Sequence, residues 1–363
     1  MNSYQCNSTE NVFLISDLCL ERYDLDSVQC VVAYDTPVLI FRYIEGYFLA
    51  IIAVICGICN VITLLSVSIA NKRRRHGFDK KFRQITIFIV YLSLIDLCWS
   101  LTCAWPLSYE LIAMRWPFGK AFCSLKVICA ATISLVEVQT IALIAISRYL
   151  DLTKSSLWRR WTESNVGLTV SFLIPWILSL IVTVLPWVPS MEIAFTWNCF
   201  GGGCGAVSTS NDDGSESPGV KFVSIYMFLF TLFSVFVVGI FYYLLRKDVK
   251  TSTKYLKENV EKCETTSANV ASKIDDRELK MTRTILMLTG VHAICNIPMV
   301  VFQMIPFGPQ ENTSMIVWHL IMIIWTCQFS VNFFIYAGSN EQYQMAYLDL
   351  RNIFIAKMLI AFK

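Results

Sequence analysis

The sequence predicts an all-α membrane protein, in which seven helices cross a bilayer and a short amphipathic helix lies on its inner surface. Three observations predict this fold class. Hydrophobic residues make up 55% of the 363 residues and charged residues only 16%, whereas soluble domains average about 25% charged residues. Apolar windows of about 20 residues, the length that a helix needs to cross the hydrocarbon layer, occur along the chain. Lys and Arg are distributed unevenly among the segments between them.

Seven apolar windows set the boundaries of the predicted membrane helices. They are Tyr47–Ala70, Ile85–Tyr109, Phe122–Tyr149, Val166–Val188, Val220–Leu245, Met281–Ile305 and Met315–Ala337. Other backbone arrangements would leave N–H and C=O groups unpaired in lipid, so each window is predicted to be helical. Prolines inside the windows are predicted to be kink sites rather than breaks. They are Pro106, Pro175, Pro186 and Pro298.

The orientation of these helices follows from their basic flanks. The first, third and fifth connecting segments and the C-terminal tail together hold 24 Lys and Arg residues, and the segments on the other side hold 6. Basic residues are retained on the cytoplasmic side, so the N-terminus is predicted outside and the C-terminus inside. Two glycosylation sequons, at Asn7 and Asn312, fall on the predicted outer side.

Three regions are predicted along the chain. Residues 1–46 form an extracellular tail without the basic and apolar pattern of a cleaved signal peptide. Residues 47–337 form the membrane bundle, and residues 338–363 form a cytoplasmic amphipathic helix with a short tail. Apolar side chains recur at helical spacing in that last region. They are Tyr343, Ala346, Tyr347, Leu350 and Phe354.

Several short motifs occur in a fixed order in the predicted helices. They are Gly57 and Asn60 in the first helix, "LSLID" ending at Asp96 in the second, "WPFGKAFC" before the third, and Arg148, 25 residues beyond Cys123. Each motif alone is weak evidence for any family. Their order and spacing together resemble the rhodopsin-like (class A) family of G-protein-coupled receptors over about residues 46–354.

Four features depart from the pattern of that family. Its Asp-Arg-Tyr triplet reads Ser147-Arg148-Tyr149 here, and its Cys-Trp-x-Pro motif has Asn296 in place of the tryptophan before Pro298. Its Asn-Pro-x-x-Tyr motif, which ends at Tyr336, lacks the proline, and the fifth helix has no proline either. The sequence therefore resembles a divergent member from an invertebrate expansion. The resemblance implies that Asn296, Pro298 and Tyr336 form the activation switch.

Arg148 lies at the inner end of the third helix, where a lone arginine would serve as an interfacial anchor. The resemblance implies a different role, in which Ser147, Arg148 and Tyr149 contact a heterotrimeric G-protein. At rest Arg148 would pair with Glu278 at the base of the sixth helix, or with Asp151 one turn onward. Because Ser147 replaces a carboxylate, we expect this resting lock to be loose.

Cys123 lies in the loop context in which the family forms a disulfide, on the predicted oxidising side. Its partner is either Cys199 or Cys204, which both lie in the large outer loop. Cys6, Cys19 and Cys30 complete an even set on that side, and their connectivity cannot be deduced from the sequence.

Two carboxyl groups lie deep inside apolar windows, where ionisable residues indicate function by default. The resemblance places Asp96, with Asn60 and Asn332 near it, at the sodium site of the family. Glu137 lies about three turns before Arg148, so we expect it at the same depth as Asp96. Two facing carboxylates cannot both be ionised in a dry core, so the pair either shares a proton or binds sodium. A buried, hydrogen-bonded Glu137 is the structural alternative, and no other cofactor or metal is expected.

The outer segments carry 13 acidic against 6 basic residues, an excess that would attract a cationic ligand. We therefore expect a basic peptide, with a small chemosensory molecule or a lipid as alternatives. Ala130 occupies the position at which aminergic receptors carry an aspartate, so a monoamine is not expected. The sixth and seventh windows lack the lysine that a retinal Schiff base needs, which excludes a light receptor.

Other functional classes fit the sequence less well. The net charge of +3 is too small to indicate nucleic acid binding, and a seven-helix zinc hydrolase would need clustered histidines. His76 is far from the other two histidines, His292 and His319, so no enzyme is expected. Transporters show paired or broken helices, and without an internal repeat a transporter or channel is a remote alternative. The sequence predicts a plasma-membrane receptor whose partners are a ligand, lipid and a G-protein.

Overall fold

The structure is a computed structural model that describes most of the chain. The described residues are 12–16, 19–24, 27–32, 36–73, 80–113, 116–152, 160–161, 164–185, 193–198, 203–208, 218–260, 283–284, 286–299, 301–302, 312–339 and 341–361. Helices make up most of this length. An antiparallel sheet precedes the first helix, and an antiparallel hairpin follows the fourth apolar segment.

The elements are numbered here in chain order. The sheet contains β1 (Val12–Ser16), β2 (Cys19–Asp24) and β3 (Ser27–Val32), and the hairpin contains β4 (Ile193–Asn198) and β5 (Gly203–Ser208). The helices are α1 (Thr36–Arg73), α2 (Lys80–Trp99), α3 (Trp105–Ala113), α4 (Gly119–Leu152), α5 (Asn165–Val184), α6 (Pro218–Val260), α7 (Leu286–Met299), α8 (Asn312–Thr326), α9 (Gln328–Ser339) and α10 (Glu341–Ala361). Of the described segments, 5 are long and apolar enough to cross a membrane, and Phe228–Phe241 and α7 are shorter apolar stretches. The predicted seven-helix bundle is confirmed.

Two helices are longer than the apolar windows predicted. α1 begins at Thr36 rather than Tyr47, and α6 continues to Val260 rather than ending near Leu245. The added part of α6, residues 246–260, contains four Lys and one Arg, which are good helix formers in water. Hydropathy therefore marks the part of a helix that lies in lipid, but it does not mark where the helix ends.

The second apolar segment contains one turn of π-helix. This turn, Ser100–Ala104, separates α2 from α3, and Pro106 follows it. A proline ring clashes with the carbonyl group four residues earlier, and widening the preceding turn relieves that clash. The Ser100 hydroxyl donates to the Ala53 carbonyl of α1 at 2.8 Å, which holds the widened turn against its neighbour. In contrast, α5 runs through Pro175 without ending.

The seventh apolar segment is interrupted at Cys327, although the sequence predicted a continuous helix. α8 ends at Thr326 and α9 begins at Gln328. Around the break, the N–H groups of Cys327 and Ser330 bond to carbonyl groups three residues earlier, at 3.3 and 3.1 Å. Such short-range bonds and local hydroxyl donors satisfy the backbone N–H and C=O groups of a helix that departs from regular geometry. The break lies just before the position where the family motif lacks its proline.

The core of the bundle is packed around aromatic side chains from the second and seventh segments. The rings of Trp99 and Phe329 stack with centroids 3.8 Å apart, and Trp325 meets both edge-on. Gly46 in α1 allows close packing against α3, because a Cβ atom there would lie 2.8 Å from a side-chain carbon of Ile112. Close backbone approach through small residues is how helices associate in lipid.

The amphipathic helix predicted after the bundle is α10, which packs against α1 and α9. Ala346 is buried, and the Tyr347 hydroxyl lies 3.4 Å from Thr63 Oγ1 and its ring 5.1 Å from that of Phe333. Burial raises the pKa of the Tyr347 hydroxyl. Phe354 is exposed on this helix, so α10 presents apolar side chains away from the bundle as an interfacial helix does.

Candidate functional site

The β4–β5 hairpin is attached to the bundle by a disulfide. Cys123, near the start of α4, is bonded to Cys204 in β5. The end of the bundle that carries this disulfide is called the hairpin end, and the end where α4 reaches Arg148 is called the arginine end. Of the two partners that the sequence left open, the structure has Cys204, and Cys199 lies outside the described residues.

The "WPFGKAFC" stretch forms a compact turn at the hairpin end. The indole N–H of Trp116 donates to the Gly119 carbonyl at 2.8 Å, and Gly119 has a φ of 76°, which favours glycine. The Trp116 ring stacks with Phe122, and the Lys126 ammonium lies 5.9 Å from its centroid. This turn therefore positions Lys126 on the inward side of α4.

Glu110 is the centre of a buried charge network at the hairpin end. One carboxylate oxygen accepts from the Lys126 ammonium at 2.6 Å, and the other accepts from the Cys204 backbone N–H at 2.7 Å. Arg42 of α1 donates to the carbonyl groups of Glu110 and Leu111 at 3.1 and 3.0 Å. Gly203 leaves the space that the carboxylate occupies, since a Cβ atom there would collide with it. The network joins α1, α3, α4 and β5.

A second buried pair joins α1 to α8. Glu45 Oε2 lies 2.5 Å from Nδ1 of His319, and both side chains are buried. Together with the network at Glu110, this pair buries two of the counted acids, Glu110 and Glu45, and two of the counted Lys and Arg residues, Lys126 and Arg42. The acidic excess counted from the sequence is therefore unchanged by burial.

The middle of the bundle contains a polar cluster built from four segments. Asp96 of α2 and Glu137 of α4 are both 0% exposed. The side-chain nitrogen of Asn332 donates to Asp96 Oδ2 at 2.8 Å, and the side-chain oxygen of Asn332 lies 3.2 Å from Nε2 of His292. The other ring nitrogen of His292 lies 3.6 Å from Glu137 Oε1. The structure therefore brings Asp96, Glu137 and Asn332 together, with His292 as an additional member.

The carboxyl groups of Asp96 and Glu137 are neighbours in this cluster. Within the described residues, Asp96 Oδ1, both Glu137 oxygens and the Asn60 side-chain oxygen are buried without a hydrogen-bond partner. Asn60 itself is oriented by a bond from its nitrogen to the Cys56 carbonyl at 3.0 Å. Carboxylate and amide oxygens are the ligands that hard cations prefer. The unpartnered oxygens are therefore of the chemical type that binds hard cations.

Asn296 lies where the family motif has tryptophan, and it links the sixth segment to the seventh. Its side-chain nitrogen donates to the His292 carbonyl and to the Gln328 side-chain oxygen. A cavity of about 20 Å³, large enough for about one water molecule, is lined by both Asn296 and His292 together with Thr289 and residues of α4 and α6. Pro298 follows in the same helix and is half-buried.

The arginine end is described in part. Ser147 is buried, and the Tyr149 ring meets that of Phe241 edge-on at 5.4 Å. Arg148 lies within α4, but its side chain is outside the described set, as are Glu278 and Asn7 entirely and the side chain of Asn312.

Tyr336, the last residue of the predicted activation switch, is buried close to the arginine end. It packs against Val67 of α1 and Ile89 of α2. The third and seventh segments thus both contribute buried residues to this end.

Sequence reasoning missed the Glu110–Lys126 pair and the role of His292. A signal for the first was present, because these residues flank the turn that reverses the chain between the second and third segments and carry opposite charges. For His292 the signal was its presence in an otherwise apolar window, where a polar side chain needs a partner. His292 had been considered only as a zinc ligand.

Comparisons with known proteins agree on one family. The profile of the 7 transmembrane receptor (rhodopsin family) matches residues 77–336 of this chain. The structure is similar to the crystal structure of squid rhodopsin, with a TM-score of 0.68 and 19% identity over 86% of this chain and 85% of that one. At this identity the structural similarity shows the fold alone.

The chain is also similar to curated receptors from several animals. It is 22% identical over 309 residues to "Rhodopsin, GQ-coupled" of Mizuhopecten yessoensis, which covers 84% of this chain and 59% of that protein. It is 26% identical over 226 residues to "G-protein coupled receptor 84" of Mus musculus, covering 62% and 51%. A "Melanopsin-like" protein of Danio rerio is 24% identical over 219 residues, covering 60% and 40%. The chain thus spans about half the length of these relatives.

Glu110→Gln should destabilise the folded protein, because it leaves the buried Lys126 ammonium without its carboxylate. Breaking one member of a buried ion pair costs about 3–5 kcal/mol. The double variant Glu110→Gln/Lys126→Met should recover most of the loss, since no uncompensated charge then remains. Thermal unfolding of the purified protein measures both. A single variant as stable as the wild type, or a double variant no better than the single one, would contradict the importance of this pair.

Proposed function

Because the chain belongs to the rhodopsin family of seven-transmembrane receptors, we propose that it is a plasma-membrane receptor that binds a ligand at the hairpin end and activates a heterotrimeric G-protein at the arginine end. The basic residues, 24 against 6, support an orientation with the N-terminus and hairpin outside and α10 in the cytoplasm. The Cys123–Cys204 disulfide supports it too, because disulfides persist in oxidising compartments. Asn7 and Asn312 are then accessible for glycosylation.

The observation that carries this proposal is the polar cluster between the two ends. Asp96, Glu137, His292 and Asn332 belong to four segments, so these segments cannot shift without breaking polar contacts. Unsatisfied polar groups are costly in a membrane core, and packed elements of this kind switch between discrete arrangements rather than deform continuously. A receptor needs this property to transmit ligand binding across the bilayer.

At the arginine end, the proposal assigns the G-protein contact to Ser147, Arg148 and Tyr149. Glu278 is the proposed resting partner of Arg148, and Asp151 is the alternative. Ser147 is buried, which supports a place for it at the G-protein contact rather than at the lipid surface.

The proposed activation switch consists of Asn296, Pro298 and Tyr336. The bond from Asn296 to Gln328 ties the sixth segment to the seventh, and it supports a switch based on hydrogen bonding rather than on a tryptophan ring. The proposed regions remain a tail over 1–46, the bundle over 47–337 and a cytoplasmic end over 338–363.

Arg148→Ala should abolish ligand-stimulated nucleotide exchange on the G-protein while leaving surface expression largely intact. The reason is that the substitution removes the charge that is proposed to contact the G-protein. Arg160→Ala is the matched control, because Arg160 is an exposed arginine at the same end and should have little effect. Undiminished exchange in Arg148→Ala would remove the main support for the G-protein role.

A transporter or channel remains the rival from another class. Substrate flux or ion current in liposomes that contain the purified protein but no G-protein would favour it. Ligand-stimulated nucleotide exchange without flux would favour the receptor.

The proposed ligand is a basic peptide. The acidic excess of the outer segments, 13 acids against 6 bases, supports this choice because it attracts cations over a distance. A small chemosensory molecule or a lipid is the alternative. Two of the similar proteins are named rhodopsin and melanopsin-like. The sixth and seventh windows of this chain have no lysine, however, so a covalently attached retinal is not proposed.

Replacing the acidic residues Asp212, Asp213 and Glu216 by Asn, Asn and Gln should slow the association of an activating cationic peptide severalfold and flatten its dependence on salt. Electrostatic steering acts mainly on association rates. A peptide library screened on expressing cells supplies the probe, and Asp349→Asn on α10 is the control. Activators that are all neutral, with association rates unaffected by the three substitutions, would exclude the peptide proposal.

The unpartnered oxygens of Asp96, Glu137 and Asn60 support a sodium ion as the occupant of the central cluster. Two neighbouring carboxyl groups need positive compensation in a dry core, and a monovalent cation supplies it. The amide of Asn332 already bonds to Asp96, so it would orient that carboxylate toward the ion. No other cofactor is proposed.

Sodium should lower agonist affinity, because the family's inactive state is the one that holds the ion. The effect should weaken at lower pH, since protons compete for the same carboxyl groups. Glu137→Gln should fold and show a weaker response to sodium. Agonist binding at graded sodium concentrations, with choline replacing sodium, measures this. If binding to the wild type does not change with either sodium or pH, the two carboxyl groups form only a structural hydrogen bond.

A further inference from the structure

The part of α6 beyond its apolar window, residues 246–260, is called the extension here. It is helical as far as Val260, and a helix turns by about 100° per residue. On that spacing, all five basic residues of the extension fall within an arc of about 100° of its surface. They are Arg246, Lys247, Lys250, Lys254 and Lys257. The extension therefore has one basic face.

The contacts of α6 inside the bundle show which way the basic face points. Val238 is buried, and the Phe241 ring meets that of Tyr149 in α4, so Val238 and Phe241 lie on the inward side of α6. The middle of the basic face lies about 160° around the helix from these two positions. The basic face is therefore turned away from the bundle.

The basic face continues the lipid-facing surface of α6. Phe236 and Tyr243 are 63% and 65% exposed, and both fall within the arc of the basic face. Arg246, Lys247 and Lys250 are exposed as well. A helix surface that meets acyl chains inside the membrane meets headgroups where the helix leaves it. The basic face is thus placed toward headgroups rather than toward the space between the helices, where the G-protein contact is proposed.

The depth of the basic residues indicates what kind of headgroup they fit. Each headgroup layer of a bilayer is about 5–8 Å thick, and a helix rises about 1.5 Å per residue. Lys250 lies about 8 Å along the axis from Leu245, the predicted end of the apolar window, so it and the two bases before it fall within this layer. Lys254 and Lys257 lie about 14 and 18 Å from Leu245. An ordinary headgroup with one phosphate does not reach that far.

We propose that the basic face of the extension binds a phospholipid headgroup that carries several phosphates, of the phosphoinositide class. Such a headgroup combines several negative charges with phosphates that project beyond the ordinary headgroup layer. It therefore matches five bases spread over about 17 Å of helix. Ammonium and guanidinium groups form charge-assisted hydrogen bonds to phosphate, and basic clusters of this size directly beyond a membrane helix are typical of proteins that bind these lipids.

This inference rests on the proposed function in one respect, namely that the extension is cytoplasmic, because phosphoinositides belong to the cytoplasmic leaflet. The lipid and the G-protein are assigned to different sides of the bundle wall. Binding at the basic face leaves the inward side of α6 uncovered, so both partners can be bound together. The lipid would then hold the end of α6 at the perimeter of the bundle.

The measurement is hydrogen exchange of the backbone amides of residues 246–260 in nanodiscs. The nanodiscs contain phosphatidylcholine alone or with a rising fraction of phosphatidylinositol bisphosphate. A ligand that binds only the folded helix slows exchange through global opening of that helix by a factor set by the ratio of ligand to dissociation constant. Exchange in the wild type should therefore slow about tenfold when the lipid is at ten times its half-saturating fraction.

The variant Arg246→Gln/Lys247→Gln/Lys250→Gln removes the three bases nearest the membrane. Each base near an anionic surface contributes about a factor of five to binding, so the half-saturating fraction of lipid should rise about a hundredfold. This variant should show no protection in the nanodiscs that protect the wild type. Protection equal to that of the wild type would overturn the proposal.

A matched control moves the three charges without changing their number. It adds Val249→Lys, Ser252→Lys and Leu256→Lys to the triple variant, which restores the net charge on the other side of the extension. If the basic face binds the lipid, this control should be as unprotected as the triple variant. Protection like that of the wild type would show that net charge alone attracts the lipid, and the proposed face would be wrong.

Two further additions identify the occupant. Phosphatidylserine at matched total charge should protect the extension weakly, and protection equal to that by phosphatidylinositol bisphosphate would overturn the requirement for several phosphates. Soluble inositol trisphosphate, added to phosphatidylcholine nanodiscs, should also protect weakly because it is not held at the membrane. If it protects as well as the lipid does, the occupant is a free anion and the lipid proposal is wrong.

Failure of this inference can be distinguished from failure of the proposed function, because the exchange measurement needs neither a ligand nor a G-protein. An unprotected wild type that still supports ligand-stimulated nucleotide exchange would remove the lipid site and leave the receptor role. Cleavage of the extension by a protease added outside intact cells would overturn the proposed orientation, and the cytoplasmic lipid with it.

Discussion

The middle of the bundle depends on the side-chain amide of Asn332. An amide has distinct donor and acceptor ends, and here the donor end is taken by Asp96 and the acceptor end faces His292. In lipid there is no water to replace either bond. The arrangement of three segments around Asn332 is therefore specified by hydrogen-bond polarity as well as by packing. Glu137 in the third segment is then set against His292, which brings a fourth segment into the same constraint.

The two polar regions of the bundle balance their charges differently. At the hairpin end, Glu110 has Lys126 and Arg42 beside it, so opposite charges are close and buried together, and the Glu45 carboxyl group lies against the His319 ring. In the middle, apart from each other, Asp96 and Glu137 have only neutral or weakly basic neighbours among the described residues. The first region is thus complete without any bound species, and it attaches the hairpin rigidly. The second is incomplete unless a small cation or a proton joins it, which is the condition for a region that responds to its surroundings.

The seven-helix fold was predictable because each apolar window alone is sufficient evidence for a membrane helix. The meeting of Asp96 with Glu137 was predictable from depth along two helices, and so was a disulfide at Cys123. The break at Cys327 was not predictable. Hydroxyl and thiol groups bond to the backbone carbonyl groups there, and no proline in the sequence signals the break. The partners of Glu110 and His292 were missed for a related reason. The hydropathy averaged over a window does not reveal a single polar residue within it. It also does not report how each helix is rotated, and this rotation determines which neighbours a polar residue faces.

The π-helical turn at Ser100–Ala104 shows how such rotation matters. Such a turn contains one residue more than an α-helical turn, which rotates everything beyond it by about 100° about the helix axis. In an uninterrupted helix Glu110 would lie about 40° around the axis from Asp96, and with the extra residue it lies about 140° away. The two acids of one segment therefore face different neighbours, and each half of the segment has its own angular register. Insertions or deletions of one residue on either side of this turn would exchange an inward acid for a lipid-facing one.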